Sequence, residues 1–369
     1  MWLRHLSILD FKNIESAELD LCQGVNCLLG ANGMGKSNLL EAVHFLSFTR
    51  PMRSIAESGL IRHGAQQMLV KGEYDTGHAN PDTVACGIVS GKGKKLKLNG
   101  KEYDRLSSHI GRFPVVTVAP DDTDLIRGTS QERRRLMDMV ISQTDATYLS
   151  LLMRYNKALT SRNSLLRNGM TDPLLFESVE EAMSATAAEV HRRRRDWAHE
   201  IAPHFAAHYA AITDDSEQAE IGYRSALDRA PLPDLLRENA RRDAALGYTS
   251  EGIHRDDLTM ALAGRSMRNL GSQGQMKTFT IALRLALYDY IRDHTSLTPL
   301  LLLDDIFDKL AADRVARILR LVSDRDRFGQ ILITDTNRRH LDETVRHIGG
   351  DYRMWEVRDG VFTPIPAEP

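Results

Sequence analysis

The sequence predicts an α/β fold in which a mixed β-sheet with its helices is interrupted by a helical insert. Apolar runs of strand length alternate with helical stretches near both ends of the 369-residue chain, a pattern typical of α/β proteins. Between residues 131 and 245 glycine becomes rare and helical periodicity prevails. A glycine-rich turn at residues 30–37 joins an apolar run to a helical stretch. These three observations predict a head built from residues 1–130 and 246–369, and an all-helical arm built from residues 131–245.

The first segment of the head is expected to be rich in strands. The turn signals Gly91-Lys92-Gly93 and Asn99-Gly100 predict antiparallel hairpins. The expected strands are Leu3–Leu9, Glu18–Leu21, Val25–Leu29, Met68–Tyr74, Val84–Ser90, Lys94–Leu98 and Val115–Val118. One helix is expected directly after the glycine-rich turn, over Asn38–Val43.

The arm and the second head segment differ in their periodicity. In the arm, apolar residues at helical spacing predict helices at Arg133–Ser142, Thr147–Leu166, Leu175–Ala211 and Leu232–Ala245. In the second head segment, strands are expected at Leu258–Leu262, Leu300–Leu303 and Gln330–Thr334, and helices at Thr278–Arg292 and Asp313–Val322. The run Leu300–Leu303 is wholly apolar, which is typical of a parallel strand buried on both faces.

The composition is that of a soluble globular protein, with 42% hydrophobic and 27% charged residues. No apolar run approaches the roughly 20 residues of a membrane-spanning helix, and the first residues lack the apolar core of a signal peptide. Cys22, Cys27 and Cys86 form no disulfide framework and no metal-binding spacing, which favours a reducing cytoplasm. Because the net charge is −2, any binding of nucleic acid requires a local basic patch.

Residues 30–38 carry the clearest motif of the chain. The pattern GxxxxGK[ST] lies between a strand and a helix, where backbone N–H groups close around phosphate oxygens. The predicted nucleotide contacts are Gly30, Ala31, Asn32, Gly33, Met34, Gly35, Lys36, Ser37 and Asn38. Lys36 is expected to reach the β- and γ-phosphates as a catalytic residue, and the Ser37 hydroxyl to bind Mg²⁺. The motif predicts an ATP site with Mg²⁺; a glycine-rich turn that matches by chance is the alternative.

A second motif supplies carboxylates. The apolar strand Leu300–Leu303 is followed by Asp304 and Asp305 in a Walker B pattern, and ligands of open α/β sheets bind at such strand ends. Asp304 is expected to hold Mg²⁺ directly or through water, and Asp305 to polarise the attacking water as a catalytic residue. The alternative is a strand-ending turn that happens to carry two acids.

Ahead of this strand, Ser272, Gln273, Gly274 and Gln275 precede a helix. This sequence looks like the signature motif of ABC-type ATPases, with Gln273 where a glycine often stands. A serine hydroxyl and backbone N–H groups at a helix N-terminus donate well to a γ-phosphate. The alternative is an ordinary helix with Ser272 as its N-cap.

Further motifs make the chain resemble the RecF family of bacterial DNA replication and repair ATPases, which are related to SMC and Rad50 heads. The resemblance covers most of the chain and is carried by Leu6–Asn13, Phe48–Ser54, Pro120–Gly128, Gln131–Asp138, Gly252–Leu258 and Ser272–Gln275. The His254–Leu258 and Ser272–Gln275 motifs, in this order, are the most specific. The resemblance implies an ABC-type (P-loop) ATPase head with an inserted helical arm.

The same resemblance implies a function in recombinational repair and replication. ATP is expected to be sandwiched between two heads, each contributing its signature motif to the other's nucleotide, so that ATP drives homodimerisation. RecF-like proteins clamp double-stranded DNA near single-strand gaps and junctions, support RecA loading with RecR and RecO, and serve the SOS response. Lys12 and Arg53 are further candidates for nucleotide contacts. The location implied is the cytoplasm, at the nucleoid.

The sequence departs from the family and superfamily patterns at several positions. Ile253 stands where a proline is usual. Ala311 stands where the D-loop aspartate is usual, so that residue's polar contact across the dimer is lost. No ABC-type switch histidine is expected around Thr334-Asp335-Thr336. Asp305 stands where ABC transporters have a glutamate, as is general in RecF-like proteins, and its shorter reach predicts slow hydrolysis. The expected enzyme is a weak DNA-dependent ATPase in which hydrolysis acts as a timer.

Two basic clusters are candidates for DNA contacts, because phosphate neutralisation needs clustered cations. Lys92, Lys94 and Lys95 surround a hairpin tip, and Arg192, Arg193 and Arg194 lie within a helix. The alternative for the arginines is a solvated or ion-paired helix, since consecutive positions span all its faces. No base-reading motif is present, so binding is expected to depend on the DNA backbone.

Another small SMC-like ATPase, linked to defence or to a nuclease, is the alternative function. It would predict an added nuclease domain or a long coiled coil. The insert at residues 131–245 is too short for a long coil.

Overall fold

The computed structural model describes residues 1–52, 55–307, 310–348 and 350–366. The strands, numbered in chain order, are β1 (Trp2–Phe11), β2 (Ile14–Asp20), β3 (Val25–Leu29), β4 (Gln67–Asp75), β5 (Asp82–Val89), β6 (Gly93–Leu98), β7 (Lys101–Glu102), β8 (Val115–Val118), β9 (Ala219–Arg224), β10 (Asp257–Leu262), β11 (Arg265–Ser266), β12 (Leu300–Asp304), β13 (Ile331–Asp335), β14 (Tyr352–Arg358) and β15 (Val361–Ile365).

The helices are α1 (Lys36–Phe48), α2 (Asp124–Arg127), α3 (Ser130–Thr144), α4 (Ala146–Arg167), α5 (Pro173–Thr213), α6 (Leu232–Glu238), α7 (Ala240–Leu246), α8 (Met267–Leu270), α9 (Gln273–His294), α10 (Ala312–Val322) and α11 (Arg338–Ile348). Among them, none combines the length and the apolar character that a membrane crossing requires.

The central sheet takes strands from both segments of the head. Its order is β15-β14-β3-β13-β12-β8, and β14, β3, β13, β12 and β8 run parallel. Every residue of β12 and β13 is buried, which explains their continuous apolar runs. Since parallel strands end at one edge of a sheet, the turns after β3, β12 and β13 lie together, as a ligand site requires.

The first helix packs between two sheets. A second, antiparallel sheet has the order β2-β1-β4-β5-β6-β7, and α1 contacts both this sheet and the central one. Consequently eleven of its thirteen residues are buried. The helix that follows the P-loop is therefore fixed on both sides by apolar packing.

The arm is built around the antiparallel helices α4 and α5, and each begins at an aspartate N-cap. The Asp145 side chain accepts from the Tyr148 backbone N–H at 2.9 Å, and the Asp172 side chain from the Leu174 N–H at 3.0 Å. Such caps satisfy N–H groups that have no partner within the helix. The second half of α5 packs along α9, which connects the arm to the head.

The insert is not entirely helical, which corrects the predicted all-helical arm. Strand β9 pairs with β10 across the predicted boundary at residue 245, in a sheet of order β11-β10-β9. The predicted helix Leu232–Ala245 is divided at Asn239, whose side-chain amide donates to the Leu235 carbonyl oxygen at 2.9 Å. A short strand whose partner lies over thirty residues away carries little local signal.

Candidate functional site

The P-loop connects the end of β3 to the start of α1. Gly33 and Gly35 have φ angles of 83° and 110°, which residues with a side chain rarely adopt. A Cβ atom on Gly35 would also lie 2.9 Å from Asn13 Oδ1. Lys36 Nζ donates to the carbonyl oxygens of Gly30 at 2.6 Å and Ala31 at 2.9 Å. The lysine ammonium therefore lies against the loop that is expected to surround the phosphates.

The Walker B aspartate and the P-loop serine are in direct contact. Ser37 Oγ donates to Asp304 Oδ1 at 2.8 Å, and Thr334 Oγ1 donates to the same oxygen at 2.7 Å. Asp304 is only 4% exposed. A hydroxyl beside a buried carboxylate at the mouth of a phosphate loop suits a hard cation such as Mg²⁺, which prefers oxygen ligands. The structure thus brings together the two residues predicted to bind the metal.

Asp305 has a left-handed backbone conformation, with a φ of 45°. Its N–H donates to Thr334 Oγ1 at 3.0 Å, and its carbonyl oxygen accepts from Lys277 Nζ at 3.3 Å. Burial, followed by repulsion from Asp335 and Asp304, raises the pKa of the Asp305 carboxyl. Three carboxylates therefore converge at the ends of two neighbouring strands, opposite Lys36.

The same carboxylates affect Lys36. Burial lowers the pKa of Lys36, while Asp305, Asp304 and Asp335 act in the opposite direction. The Lys36 ammonium therefore lies near three carboxylates, beside the loop that is expected to surround the phosphates.

A histidine lies beside this group, although no switch histidine was expected after β13. His340 Nδ1 is 2.9 Å from Asp335 Oδ2, and the imidazole meets the Phe307 ring edge-on at 5.5 Å between centroids. The sequence gives no signal for this contact, because His340 lies on α11 and reaches back one turn to the end of the strand.

Ser272 is the N-cap of α9, as the simpler interpretation of this motif predicts. The Gln275 N–H donates to Ser272 Oγ at 3.2 Å, and the Ser272 N–H donates to Gln275 Oε1 at 2.9 Å. Ser272 and Gln273 are nevertheless exposed at the surface. Within the described ranges, no hydrogen bond joins Ser272–Gln275 to the P-loop. The cap is therefore open to a ligand from outside the subunit.

Glu217, just beyond α5, was not identified from the sequence. Its carboxylate accepts from Tyr209 Oη at 2.7 Å and from Arg314 Nη2 at 2.8 Å. Burial acts to raise the pKa of Glu217, but hydrogen bonds from Tyr209, Arg314 and Gln275 lower it overall. Glu217 thus links the arm helix α5, helix α10 and the capping glutamine of the signature motif.

The P-loop also has two neighbours outside its motif. Asn38 Nδ2 donates to Asn13 Oδ1 at 2.7 Å, and the Gly360 N–H donates to the Met34 carbonyl oxygen at 2.8 Å. Lys12 forms an ion pair with the buried Glu41 of α1, and its nucleotide contact stays a prediction.

Arg53 lies outside the described residues, so its predicted nucleotide contact stays a prediction as well.

The candidate DNA-binding lysines differ in their environment. Lys92 is exposed at the tip of the β5–β6 hairpin. The Lys95 side chain is 72% exposed and lies 3.4 Å from Glu102. Lys94 is directed inward, where Nζ donates to the Thr49 carbonyl oxygen and to Glu57. Of the three, Lys92 and Lys95 present their ammonium groups to solvent.

The candidate arginines of the arm form ion pairs. The Arg194 side chain is 2% exposed and lies 2.8 Å from Asp138 and 2.7 Å from Asp256. This burial corrects the prediction that Arg194 contacts DNA: its guanidinium is inside the arm. Arg193 pairs with Asp145 and Glu189.

Arg192 is the exposed member of this cluster. Its side chain is 51% exposed and pairs with Glu189 and Asp196 on the same helix. Ion pairing, the alternative interpretation of this cluster, therefore describes its three members.

Comparison with known proteins gives consistent matches. A family model described as "RecF/RecN/SMC N terminal domain" matches residues 2–356. The DNA replication and repair protein RecF of Phocaeicola vulgatus is 46% identical over 365 residues, which cover 98% of each chain. The protein of the same name from Bacteroides thetaiotaomicron is 44% identical over 369 residues, which cover all of both chains.

Solved structures match as well. The recombination mediator protein RecF with ATP, of the RecFOR pathway, superposes with a TM-score of 0.88 at 27% identity, over 99% of this chain and 98% of that chain. An SMC head bound to the C-winged helix domain of ScpA superposes with a TM-score of 0.60 at 15% identity, over 99% of this chain and 97% of that one. The second match shows a shared fold.

Proposed function

Since the chain belongs to the RecF family of DNA replication and repair proteins, we propose that it is an ATP-dependent DNA-binding protein of recombinational repair. Its ATP site is completed only when two subunits meet. The main support for this proposal is that the predicted ATP-binding residues form two separate groups in one subunit. Ser37 and Asp304 are in contact behind the P-loop, whereas the exposed Ser272 has no bond to the P-loop within the described residues.

The P-loop half of the site binds the nucleotide within one subunit. Lys36 exchanges the carbonyl oxygens of Gly30 and Ala31 for phosphate oxygens, which are stronger acceptors for an ammonium. Ser37 and Asp304 would hold Mg²⁺, which neutralises phosphate charge. Asp305 positions and polarises the attacking water, and the short reach of this side chain makes hydrolysis slow. The resulting activity is that of a weak DNA-dependent ATPase.

The signature half acts on the partner's nucleotide. Ser272 Oγ and the N–H groups at the start of α9 donate to the γ-phosphate bound by the second subunit. ATP then joins the two heads, and hydrolysis releases them. The dimer clamps double-stranded DNA near single-strand gaps through backbone contacts, for which Lys92 and Lys95 are exposed. RecR and RecO are the partners in RecA loading and the SOS response, and the protein acts at the nucleoid in the cytoplasm.

Light scattering with and without ATP and duplex DNA tests this function. Lys36→Ala is expected to lose ATP binding, because the P-loop lacks its cation. Ser272→Arg is expected to bind ATP and remain monomeric, because a long side chain blocks the second phosphate contact. Asp305→Asn is expected to accumulate as a dimer, because the attacking water is no longer polarised.

The three variants separate the steps of the cycle. Binding of a fluorescent ATP analogue to each variant shows whether the P-loop half is intact. Normal ATP-driven dimerisation of Ser272→Arg would refute the shared site. If this variant lost both dimerisation and ATP binding, misfolding of α9 would be indicated.

A further inference from the structure

A cavity of about 290 Å³ lies where α3, α4 and α5 meet the turn Ile253–Arg255. Its polar walls are formed by Arg134, Arg135, Arg194, Asp138 and His254, together with the side-chain amides of Gln131 and Asn156. None of the P-loop, Walker B or signature residues lines it. It is therefore a separate concave site at the base of the arm.

The cavity is positively charged. Three guanidinium groups and one carboxylate line it. Burial lowers the pKa of His254 to about 4, and its ring nitrogens lie at 2.8 Å from Tyr155 Oη and 3.0 Å from the Thr249 carbonyl oxygen. His254 is therefore neutral at physiological pH. Asp256, buried beneath the cavity, lies 2.7 Å from Arg194 and bonds to Tyr223 Oη. Asp138 and Asp256 therefore both compensate the charge of Arg194.

Arg134 differs from the arginines around it. Arg133 forms an ion pair with Asp257, and Arg194 forms two. Arg134 Nη1 instead donates to two neutral oxygens, Ser130 Oγ and the Asp256 carbonyl, each at 2.7 Å. In the described part of the chain, no carboxylate lies within ion-pairing distance of its guanidinium. Burial and repulsion from Arg194 lower the pKa of Arg134, although the nearby carboxylates of Asp256, Asp257 and Asp138 act in the opposite direction.

We propose that this cavity binds a phosphate group, with Arg134 as its principal contact. A guanidinium presents a planar fork of donors that matches a phosphate, and two of the Arg134 nitrogens form no hydrogen bond to the protein within the described ranges. The amides of Gln131 and Asn156 add neutral donors from α3 and α4. The volume of about 290 Å³ leaves room for a phosphate group.

Two sources offer the same chemistry: a phosphodiester of the DNA backbone and a free phosphate ion. The first source rests on the proposed DNA-binding function, and the second does not. The experiment therefore has two arms, and ATP binding is measured in each so that a defect at the P-loop is recognised separately.

The free-phosphate arm uses the Lys36→Ala protein, in which the P-loop no longer competes for phosphate. Inorganic phosphate is titrated against chloride at matched ionic strength, and the thermal midpoint is recorded. The DNA arm uses the protein with native Lys36, a slowly hydrolysed ATP analogue and a fluorescent duplex whose anisotropy reports binding at several salt concentrations. In both arms the test variant is Arg134→Gln.

If a DNA phosphate is the ligand, Arg134→Gln weakens duplex binding severalfold and lowers the salt-dependence slope by about one. If a free ion is the ligand, the variant abolishes the saturable rise of the midpoint with phosphate and leaves DNA binding unchanged. Either result supports the site. Arg241→Gln, an exposed arginine outside the cavity, is the control for loss of one positive charge.

Asn156→Asp is a second, isosteric test that does not depend on Arg134. Asn156 is an exposed wall residue, so the variant is expected to fold, and its new charge repels phosphate. Asn168→Asp, exposed at the end of the same helix and outside the cavity, is its control. If Asn156→Asp leaves both phosphate stabilisation and DNA affinity at the control level, the proposal is overturned, whatever Arg134→Gln does.

Discussion

At the scale of single residues, Asp305, the residue that we propose polarises the attacking water, is expected to lower stability in the nucleotide-free protein. Its backbone is left-handed, a conformation that aspartate and asparagine tolerate better than most residues. Its carboxyl is raised in pKa by burial and by Asp335 and Asp304. The folded state therefore holds a proton on Asp305 more tightly than the unfolded chain does.

The change Asp305→Asn is expected to raise the thermal midpoint of the nucleotide-free protein at pH 7.5. A group whose pKa is raised on folding stabilises the fold below its unfolded pKa, and that stability is lost as the pH rises through the folded value. Asparagine does not ionise, so the variant avoids this loss of stability at high pH. It also tolerates the left-handed backbone conformation. Scanning calorimetry at pH 7.5 and at pH 4 is the measurement, and the advantage of the variant should shrink at the lower pH.

Asp326→Asn provides the matched control, because Asp326 is exposed and lies on a loop. If Asp326→Asn raised the thermal midpoint equally, the effect would come from the general loss of negative charge. The cluster of Asp304, Asp305 and Asp335 would then not be responsible.

At the scale of elements, helix α9 connects the signature motif to several other segments of the molecule. Its first turn contains Gln275, which bonds to Glu217, and its middle contains Arg284, which forms an ion pair with Asp122 after β8. Arg314 of α10 bonds to both Thr278 and Glu217. Glu217 and Arg314 therefore lie between the end of α5 and the signature cap, and we expect Glu217 to position that cap.

We expect Glu217→Gln to weaken ATP-driven dimerisation by about three- to tenfold, since it removes the negative charge that strengthens the hydrogen bonds from Tyr209, Arg314 and Gln275. Binding of ATP to the isolated subunit should be unchanged, because Glu217 does not contact the P-loop. Dimer dissociation constants from light scattering or sedimentation, compared with nucleotide affinity, provide the measurement.

Glu220→Gln, at an exposed position of the nearby strand β9, is the control for that variant. A loss of nucleotide affinity equal to the loss of dimerisation would contradict the role of Glu217 in positioning the cap.

Structural features could be predicted from the sequence where neighbouring residues or a known motif encode them. Strand β12 and the Ser37–Asp304 contact were foreseeable, because a continuous apolar run and two motifs with fixed geometry encode them. Glu217 and His340 could not be predicted from the sequence. Each bonds to a residue to which no sequence motif connects it. The burial of Arg194 was also not evident, since four consecutive arginines do not reveal which one faces the interior.

At the scale of the whole molecule, a buried carboxylate joins the arm to the head. Asp289 of α9 is fully buried and bonds to His208 of α5 at 2.7 Å and to Arg327, which precedes β13. Burial acts to raise the pKa of Asp289, but hydrogen bonds from His208 and Arg327 hold it well below its usual range. One ionised residue of α9 thus bonds to two segments that are distant from it in sequence.

Asp289→Asn is expected to lower the free energy of unfolding by about 3–5 kcal/mol, because it leaves Arg327 without its buried partner. A depressed carboxyl pKa gives stability that is present above the unfolded pKa of about 4 and is lost only as the pH falls through the lower folded value. Urea denaturation should therefore give the same difference in unfolding free energy between the native protein and Asp289→Asn at pH 7.5 and at pH 5.

Asp234→Asn is the control. Asp234 pairs with Arg237 at the surface, and an exposed pair is worth about 0–1 kcal/mol. A difference for Asp289→Asn that already narrows between pH 7.5 and pH 5 would indicate that titration of His208, and not the charge on Asp289, determines the effect.

The position of β3 has a consequence for biosynthesis. This strand emerges early from the ribosome, yet one of its two neighbours, β14, pairs with it from Val25 to Leu29 and is synthesised more than 300 residues later. The turn after β14 then contacts Met34. A nascent or truncated chain that stops before Tyr352 therefore leaves one edge of the P-loop strand without its hydrogen-bonding partner.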